Sequence, residues 1–330
     1  MSTRFGPDVL AIDAAETAAG IERHLVASTR GLKRRGVVVG ASGGVDSSVC
    51  LCLAQRALGA DRVLALLMPE WETADASTAQ AAALCDDLGV DYLVEPIGPV
   101  LDAAGCYRRR DEAIRELFPE YGAGYRQKVT IAGGMPTEQR IPYFNLTIES
   151  PDGDQRTQRL PVDVYNRIVA ATNMKQRTRK MIEYVHAEAK NYAVLGTPNR
   201  LEYELGFFVR GGDGLADVKP IAHLFKSQVY RLAEHLGVPE AIRAQPPTTE
   251  TYSLPQTQDE FYFGFPYPQM DLLLWAWEHD VAPEVAGEVV GLGADQVTWA
   301  YRDIVGKRRV AHRSLMPALT LEDVDVSERR

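Results

Sequence analysis

The 330-residue sequence predicts an α/β fold, built as a doubly wound parallel sheet with helices on both faces. Three observations predict this class. Short, wholly apolar segments, typical of strands buried on both faces, alternate with longer segments of helical period. Glycine follows most of the helical segments, as it does at many helix ends. The hydrophobic content of 45% and charged content of 25% are ordinary globular values and exclude a disordered or fibrous chain.

The first part of the chain supplies the alternating elements in order. Apolar residues at helical period predict a helix through about the first 35 residues, ended by Lys33-Arg34-Arg35 and Gly36. Strands are predicted at 37–39, 63–68 and 92–94. Helices are predicted between them at 49–58 and 73–88. This alternation is typical of a right-handed parallel sheet.

The middle of the chain breaks the alternation. After a charged helical segment at 106–118, apolar residues alternate with polar ones at Phe144, Leu146 and Ile148. Pro151-Asp152-Gly153-Asp154 has turn chemistry, and the alternation resumes at 155–160. We therefore predict an insertion at about 105–162 that contains a β-hairpin beginning near residue 141.

The remaining residues are predicted to complete the sheet and add a C-terminal helical region. The predicted elements are a long helix at 162–189, a buried strand at 192–195, a helix at 224–236 and further helices to about residue 309. The charged tail at about 321–330 is predicted to be loose. Because no repeat or low-complexity linker is visible, residues 1–330 are expected to form a single domain.

Charge and cysteine usage exclude several functional classes. The net charge of −9 argues against broad binding to nucleic acid or anionic membranes. Cys50, Cys52, Cys85 and Cys106 have no zinc-site spacing and indicate isolated buried thiols of a reducing compartment. Residues 1–12 lack the pattern of a secretory signal, and no apolar segment approaches the roughly 20 residues of a membrane span. We therefore expect a cytoplasmic protein.

The strongest chemical signal is the loop Gly40-Ala41-Ser42-Gly43-Gly44-Val45-Asp46-Ser47-Ser48, between a predicted strand and a predicted helix. Paired glycines let backbone N–H groups converge on an anion, and the following helix directs its positive end there. Asp46 would repel a bare phosphate, so its position favours a magnesium ion beside the phosphates. The alternative is an ordinary glycine turn with a serine cap. The coincidence of strand, glycines, serines and helix favours the phosphate site.

This loop lacks the lysine of a Walker A motif and resembles the SGGxDS pyrophosphate loop of the PP-loop ATP pyrophosphatases. The resemblance implies a Rossmann-like sheet and cleavage of ATP between its α and β phosphates, which gives an adenylated substrate. NAD synthetases, GMP synthetases, asparagine synthetases and tRNA-thiolating enzymes share the loop. The loop alone therefore does not choose among these activities.

Motifs in the second half resemble those of one branch, the ammonia-dependent NAD synthetases. They are N-M-K-Q-R-T-R-K-M at 173–181, G-T-P-N-R-L-E-Y-E-L-G-F-F at 196–208, G-D-G-L-A-D-V-K-P at 212–220, F-K-S-Q-V-Y around Lys226, and Pro247-Thr248. The resemblance covers the loop and most of residues 165–309. It implies that ammonia and ATP convert deamido-NAD to NAD, AMP and pyrophosphate.

The resemblance also implies which residues bind ATP and Mg²⁺. The implied ATP-binding residues are Gly40, Ala41, Ser42, Gly43, Gly44, Val45, Asp46, Ser47, Thr197, Lys226 and Thr248. Asp46 and Glu202 match the magnesium carboxylates, and Asp46 and Lys226 are the implied catalytic residues. Lys226 would neutralise charge that builds on the phosphates. Without the resemblance, Glu202 and Lys226 are better explained as solvated helix charges.

The residues implied for the acyl substrate are Arg177, Arg210, Asp217 and Lys307. Arg179 is a weaker candidate, because two arginines separated by one residue do not share a helix face. Three positions on this side differ from the family pattern, namely Arg210, Thr249 and Gly306. The insertion also has no counterpart in short members of the family. The ATP side is intact, so the prediction of ATP chemistry is stronger than that of the acid.

Residues 252–277 are rich in aromatic side chains. They include Phe261, Tyr262, Phe263, Phe265, Tyr267, Trp275 and Trp277. One interpretation is an aromatic box for a purine or pyridine ring. The other, which we favour, is a packed core or a dimer interface.

Alternatives to deamido-NAD amidation follow from these departures. The same ATP chemistry could serve another carboxylic acid in specialised metabolism. A tRNA-modifying enzyme is disfavoured by the negative net charge and the lack of a catalytic cysteine pair. A non-catalytic binding module is disfavoured because Asp46, Glu202 and Lys226 are all present.

The resemblance also implies partners. Family members are homodimers with the acyl substrate at the subunit interface, so a homodimer is expected. Fewer than 40 residues precede the loop strand, which leaves no room for a glutaminase domain. Ammonia is therefore expected in free form or from a separate glutaminase. The inserted hairpin is expected to close over the active site or to contact a partner chain.

Overall fold

The computed structural model describes residues 5–132, 143–248 and 251–322. Its strands are β1 (Val37–Gly40), β2 (Val63–Leu67), β3 (Asp91–Val94), β4 (Arg126–Ala132), β5 (Tyr143–Glu149), β6 (Gln155–Arg159) and β7 (Ala193–Leu195). Its helices are α1 (Ala14–Gly31), α2 (Val45–Leu58), α3 (Asp75–Leu88), α4 (Gly98–Ala103), α5 (Cys106–Arg115), α6 (Val162–Lys190), α7 (Arg200–Leu205), α8 (Lys226–His235), α9 (Glu240–Arg243), α10 (Tyr267–Glu278), α11 (Pro283–Val290) and α12 (Ala294–Leu315).

A parallel sheet with strand order β3-β2-β1-β7 forms the centre of the fold. Its inner strands consist of valine, leucine and alanine, which suits segments buried on both faces. Val37 and Val39 face a core shared with α1, α2 and α8. Val38 points the other way and packs with α4 and α6. Helices on both faces confirm the predicted doubly wound α/β architecture.

The region predicted to be an insertion contains a small antiparallel sheet with strand order β4-β5-β6. The predicted hairpin is confirmed as β5 and β6, and Gly153 in the connecting turn has a φ of +91° that favours glycine. The sequence reasoning missed β4, because its residues R-Q-K-V-T-I-A alternate only weakly. Residues 141–142, where the hairpin was predicted to begin, lie outside the described residues.

Element boundaries differ from the predictions at several ends. Helix α2 begins at Val45, four residues before the predicted start, so half of the glycine loop motif is the first turn of a helix. Helix α12 extends to Leu315, beyond the predicted end near residue 309. Most of the tail predicted to be loose, from residue 323, lies outside the described residues. The single-domain organisation stays a prediction.

All four cysteines are buried free thiols, as predicted. Burial raises the pKa of each thiol, to about 11 for Cys52 and Cys106. Among the helices of the described segments, none is both long and apolar enough to cross a membrane.

Candidate functional site

The candidate site lies where the chain order of the parallel sheet reverses. Strands β1 and β7 are neighbours, with Val37 opposite Ala193 and Val39 opposite Leu195. Their carboxyl ends therefore lead into adjacent loops, one beginning at Ala41 and the other at Gly196. Crevices of this kind, outside the carboxyl ends of strands at a switch point, are where open α/β sheets bind ligands.

The loop after β1 is a glycine nest at the N-terminus of α2. Gly43 has a φ of +83°, and a Cβ placed on it would lie 2.3 Å from the carbonyl oxygen of Ser77. Gly44 is the N-cap residue and has no side chain to cap the first N–H groups of the helix. These N–H groups and the positive end of α2 therefore remain directed at the crevice, as an anion requires.

Serine hydroxyls fix the shape of this nest. The hydroxyl of Ser47 donates to the carbonyl oxygen of Gly44 at 3.0 Å and lies 3.1 Å from the hydroxyl of Ser42. The hydroxyl of Ser48 donates to the same carbonyl at 2.9 Å. The Gly44 N–H in turn donates to Ser42 Oγ at 3.3 Å. The serines therefore hold the backbone in one conformation, which reduces the reorganisation needed to bind an anion.

We expect Gly43→Ala to abolish ATP binding, because the substitution combines an unfavourable φ with a backbone clash at Ser77. Gly89→Ala is the matched control, since Gly89 has a φ of +64° but open space around it. The control should lose only about 1 kcal/mol of stability. Calorimetric titration with Mg-ATP and thermal melting distinguish the two; equal loss of binding in both variants would contradict the prediction.

A buried charge cluster lies beside the nest. The ammonium of Lys226 donates to Asp46 Oδ2 and is 2% exposed, and the carboxylate of Glu202 is also buried. Burial and the nearby charge of Asp46 raise the pKa of Glu202 to about 8. Burial alone would lower the pKa of Lys226, but the charges of Asp46 and Glu202 outweigh it and raise this pKa. The three groups are thus electrostatically coupled.

The prediction that Glu202 and Lys226 belong to a site is supported by this arrangement, and the surface-charge alternative for both residues is wrong. Glu202 is the third helical residue of α7, where its Oε2 accepts the Asn199 N–H at 3.0 Å and its own N–H donates to Asn199 Oδ1 at 3.2 Å. This capping box fixes the carboxylate next to Asp46. Sequence reasoning alone could not show that the two residues face inward.

Asp271 positions Lys226, although the sequence analysis assigned it no role. Asp271 is fully buried on α10, and its carboxylate accepts the Lys226 N–H at 3.2 Å and the Ser227 N–H at 2.7 Å. It therefore caps the N-terminus of α8, whose first residue is Lys226. One turn earlier on α10, the ring of Tyr267 lies 5.3 Å from the ammonium of Lys226.

The pKa of Asp271 predicts a pH dependence of stability. Burial raises this pKa to about 6, so the folded state binds a proton more tightly than the unfolded chain does. The associated stability is present at acidic pH and is lost as pH rises through about 6. Relative to Asp271→Asn, wild-type unfolding free energy should therefore fall by about 2 kcal/mol from about pH 4.5 to about pH 7.5. Urea melts of both proteins across this range test it; a constant difference would contradict it.

Asp46 and Glu202 fit a magnesium ion. Asp46 Oδ1 is buried and has no hydrogen-bond partner among the described residues. An orphaned carboxylate oxygen next to a second carboxylate is a ready cation site, and Mg²⁺ typically takes one or two carboxylates together with phosphate oxygens. Within the same residues no cluster of three or more His, Cys, Asp or Glu forms a complete metal cage. The site therefore suits an ion that arrives with phosphates.

The nest and the charge cluster open into one cleft of about 410 Å³. Seven residues of the loop line it, together with Thr197, Thr248, Glu202 and Lys226. Gly43 supports the nest from behind by packing against Ser77. The structure thus brings all the ATP-side and metal candidates together. Thr249, one of the departures from the family pattern, lies outside the described residues.

The four acyl-substrate candidates lie outside the described lining of the cleft. Arg177 Nε donates to the carbonyl oxygen of Arg210 at 3.2 Å, and Arg210 to that of Met316 at 3.3 Å. Asp217 accepts the Val194 N–H at 2.8 Å, beside β7. Lys307 is partly buried, and its ammonium donates to the carbonyl oxygen of Tyr262 and to Asp303, both at 2.6 Å. In a single chain these residues are joined to structural partners, and their role in binding stays a prediction.

The cleft instead contains charged residues from α6 and from the loop between α7 and α8. They are Arg179, Lys180, Glu183 and Asp213. Lys180 and Glu183 form a buried ion pair at 2.6 Å. Burial raises the pKa of Glu183 and of Asp213. Arg179, the weaker candidate from the sequence, is thus the arginine that faces the cleft. It lies three residues after Gln176, which also lines the cleft, so the two share one face of α6.

The aromatic residues of 252–277 mainly form a packed core, which agrees with the interpretation favoured from the sequence. Phe263, Phe265 and Tyr267 are buried in a cluster with α7 and α12. Phe261 and Tyr262 also line the cleft. Tyr252 lines it as well, so the aromatic-box interpretation is restricted to these three side chains.

Comparison with protein families places the chain in one group. The model of the NAD synthase family matches residues 19–118 and 142–303. The gap between these ranges contains β4 and the residues that follow it. The match therefore includes the glycine nest, Glu202, Lys226 and Asp271.

Individual relatives agree with this match. The NH(3)-dependent NAD(+) synthetase of Rhizobium meliloti (strain 1021) is 52% identical over 305 residues, 92% of this chain and 91% of the relative. That of Thermotoga neapolitana is 36% identical and covers 74% of this chain and 78% of the relative. The solved NH3-dependent NAD synthetase of Campylobacter jejuni has a TM-score of 0.61 and 22% identity, covering 94% of this chain and 100% of that one. The chain therefore belongs to the NAD synthase family.

Proposed function

We propose that the protein is a C–N ligase that uses ATP and ammonia to amidate deamido-NAD, with NAD, AMP and pyrophosphate as products. The observation that carries this proposal is the open glycine nest beside Asp46, which is paired with the buried Lys226, and beside the buried Glu202. The names of the most similar relatives support the choice of acid and of ammonia. The ATP candidates predicted from the sequence converge on this one cleft.

The nest binds the two phosphates that ATP discards. N–H groups at the start of α2 donate to the pyrophosphate oxygens, and the positive end of the helix stabilises their charge. Thr197 and Thr248 add hydroxyl donors from the loop after β7 and from the segment that precedes α10. No residue in the nest reorganises, because the serine hydroxyls already fix it.

The reaction then proceeds in two steps at the α-phosphorus and the acyl carbon. A carboxylate oxygen of the acid attacks the α-phosphorus, and the bond from that phosphorus to pyrophosphate breaks. Lys226 stabilises the leaving charge. Ammonia attacks the acyl carbon of the adenylate, loses a proton and displaces AMP. The protein supplies position and charge, so no side-chain nucleophile is required.

Asp46 and Glu202 would hold a magnesium ion that arrives with ATP, and the ion would supply Lewis-acid stabilisation of phosphate charge. Asp46 would offer its Oδ1, which lacks a described partner, and Glu202 would offer its carboxylate. Burial and the charge of Asp46 raise the pKa of Glu202 to about 8, so Glu202 would lose its proton to hold the ion.

The acid is proposed to bind with the help of a second subunit. Arg177, Arg210, Asp217 and Lys307 stay candidate acyl-substrate residues, and a homodimer would bring such residues to a shared site. Within one chain, Arg179 adds positive charge to the lining of the cleft, where Lys180 is paired with Glu183. Ammonia enters free or from a separate glutaminase.

The test is an amidation assay with purified protein, Mg-ATP, ammonium chloride and deamido-NAD. We expect NAD, AMP and pyrophosphate in equal amounts. ADP and inorganic phosphate would reject the ATP chemistry. Release of AMP with another carboxylic acid, but no NAD from deamido-NAD, would instead reject the acid and support the alternative amide ligase.

A further inference from the structure

The insertion joins the wall of the cleft through one edge of β4. The Gln127 N–H donates to Ser253 Oγ at 2.8 Å, and the Leu254 N–H donates to the carbonyl oxygen of Gln127 at 3.0 Å. The side-chain amide of Gln256 donates to the carbonyl oxygen of Val129. Residues 253–256, here called the wall segment, thus occupy the edge of β4 that β5 leaves free. They follow directly on Thr251 and Tyr252, which line the cleft.

A buried lysine joins Thr251, just before the wall segment, to a second loop. Lys175 on α6 is 1% exposed, and its ammonium donates to the carbonyl oxygen of Thr251 at 2.9 Å. It also donates to Glu70 at 3.0 Å and to Glu72 at 2.6 Å. Both glutamates belong to the loop between β2 and α3. That loop lines the cleft through Pro69 and Thr73.

Helix α5 completes the charge balance around Lys175. On α5, the hydroxyl of Tyr107 donates to Glu70 at 2.7 Å, and the guanidinium of Arg110 donates to Glu72 at 2.5 Å. Arg110 is 5% exposed. Buried charges are tolerated when each has partners, and a fully partnered network fixes a single arrangement of the elements that supply it.

We propose that Lys175 and strand β4 are positioning elements for nucleotide binding. Lys175 ties the β2–α3 loop and Thr251 to α6, and β4 holds the wall segment that follows Thr251, in the geometry that receives ATP. Neither element reaches the reacting atoms. Both act through residues of the cleft wall, namely Pro69, Thr73, Thr248, Thr251 and Tyr252. The proposal rests on the proposed function, because it assumes that ATP occupies the cleft. In this proposal the inserted sheet supports the wall of the cleft and does not close over the active site, which was one of the two expectations from the sequence.

Two variants of different severity test this role. Lys175→Met removes the tie to both loops, and Ser253→Ala removes one hydroxyl acceptor between β4 and the wall segment. The matched control is Thr157→Ala, which removes a 2.9 Å hydroxyl contact with Thr147 inside the inserted sheet, away from the wall segment. Mg-ATP affinity is measured by calorimetry, and KM is measured separately for ATP and for deamido-NAD.

Weaker Mg-ATP binding by about tenfold in Lys175→Met and about threefold in Ser253→Ala is expected, with Thr157→Ala unchanged. KM for ATP should rise more than KM for deamido-NAD. Wild-type ATP affinity in Ser253→Ala and in a folded Lys175→Met would overturn the proposal, as would equal effects in Thr157→Ala. If Lys175→Met does not fold, the comparison of Ser253→Ala with the control Thr157→Ala decides whether the proposal stands.

A double variant separates positioning from stability. Lys175→Met leaves two buried carboxylates short of a cation, and adding Glu70→Gln removes one of them. Recovery of the melting temperature without recovery of ATP affinity supports positioning, whereas recovery of both overturns it. Wild-type protein that binds Mg-ATP but forms no NAD would reject the proposed acid and leave these ATP comparisons valid.

Discussion

Lys226→Met should lower kcat by about 100- to 1,000-fold, because it removes the fixed positive charge proposed to stabilise departing pyrophosphate. The buried Glu202 and the partly buried Asp46 would then lack their nearest cation. We therefore also expect lower stability in the absence of magnesium. Steady-state release of pyrophosphate at saturating ATP and deamido-NAD measures the effect on catalysis.

The control for this variant is Lys190→Met, which removes an exposed lysine from the last turn of α6. It changes net charge by the same amount but lies outside the cleft lining. Its kcat should equal that of the wild type. If Lys226→Met retains kcat within about threefold of this control, Lys226 has no catalytic role.

Asp46→Asn should cause a loss of similar size, with a changed dependence on magnesium. The variant removes the orphaned oxygen proposed to bind the ion and the carboxylate that pairs with Lys226. We expect about 100- to 1,000-fold lower kcat/KM for ATP, partly restored by excess magnesium. Magnesium titrations at fixed ATP measure this shift.

Melting experiments give a second readout for Asp46. Mg-ATP should raise the melting temperature of the wild type by mass action and have little effect on Asp46→Asn. Asp163→Asn is the control, since its carboxylate is 76% exposed at the first turn of α6. The same magnesium dependence in Asp46→Asn and the control would exclude Asp46 as a ligand.

The sheet and the ATP side could be predicted because their signals are local. Three consecutive valines predict a buried strand, and glycines followed by a helix predict an anion site. The inward direction of Glu202 and Lys226 could not be read from periodicity, since α7 has only six residues. Their burial depends on contacts with residues 156 to 180 positions away in the chain.

The insertion shows a different limit of sequence reasoning. Strand β4 pairs with β5 on one edge and with the wall segment on the other. These hydrogen bonds hold the strand in place, so its composition can be polar. The sequence pattern likewise gives no sign that Lys175 and Arg110 are buried, although Lys175 is only 1% exposed and Arg110 only 5% exposed. Such buried networks depend on tertiary pairing, which no local pattern records.

The four buried thiols provide natural probes of motion. A thiol reagent needs an exposed thiolate, so labelling must wait for local opening of the fold. Cys50, Cys52 and Cys85 lie on α2 and α3 beside the glycine nest, whereas Cys106 begins α5 in the insertion. The rates at which these thiols react would therefore report separately how often α2 and α3 open locally and how often α5 does. No engineered label is needed.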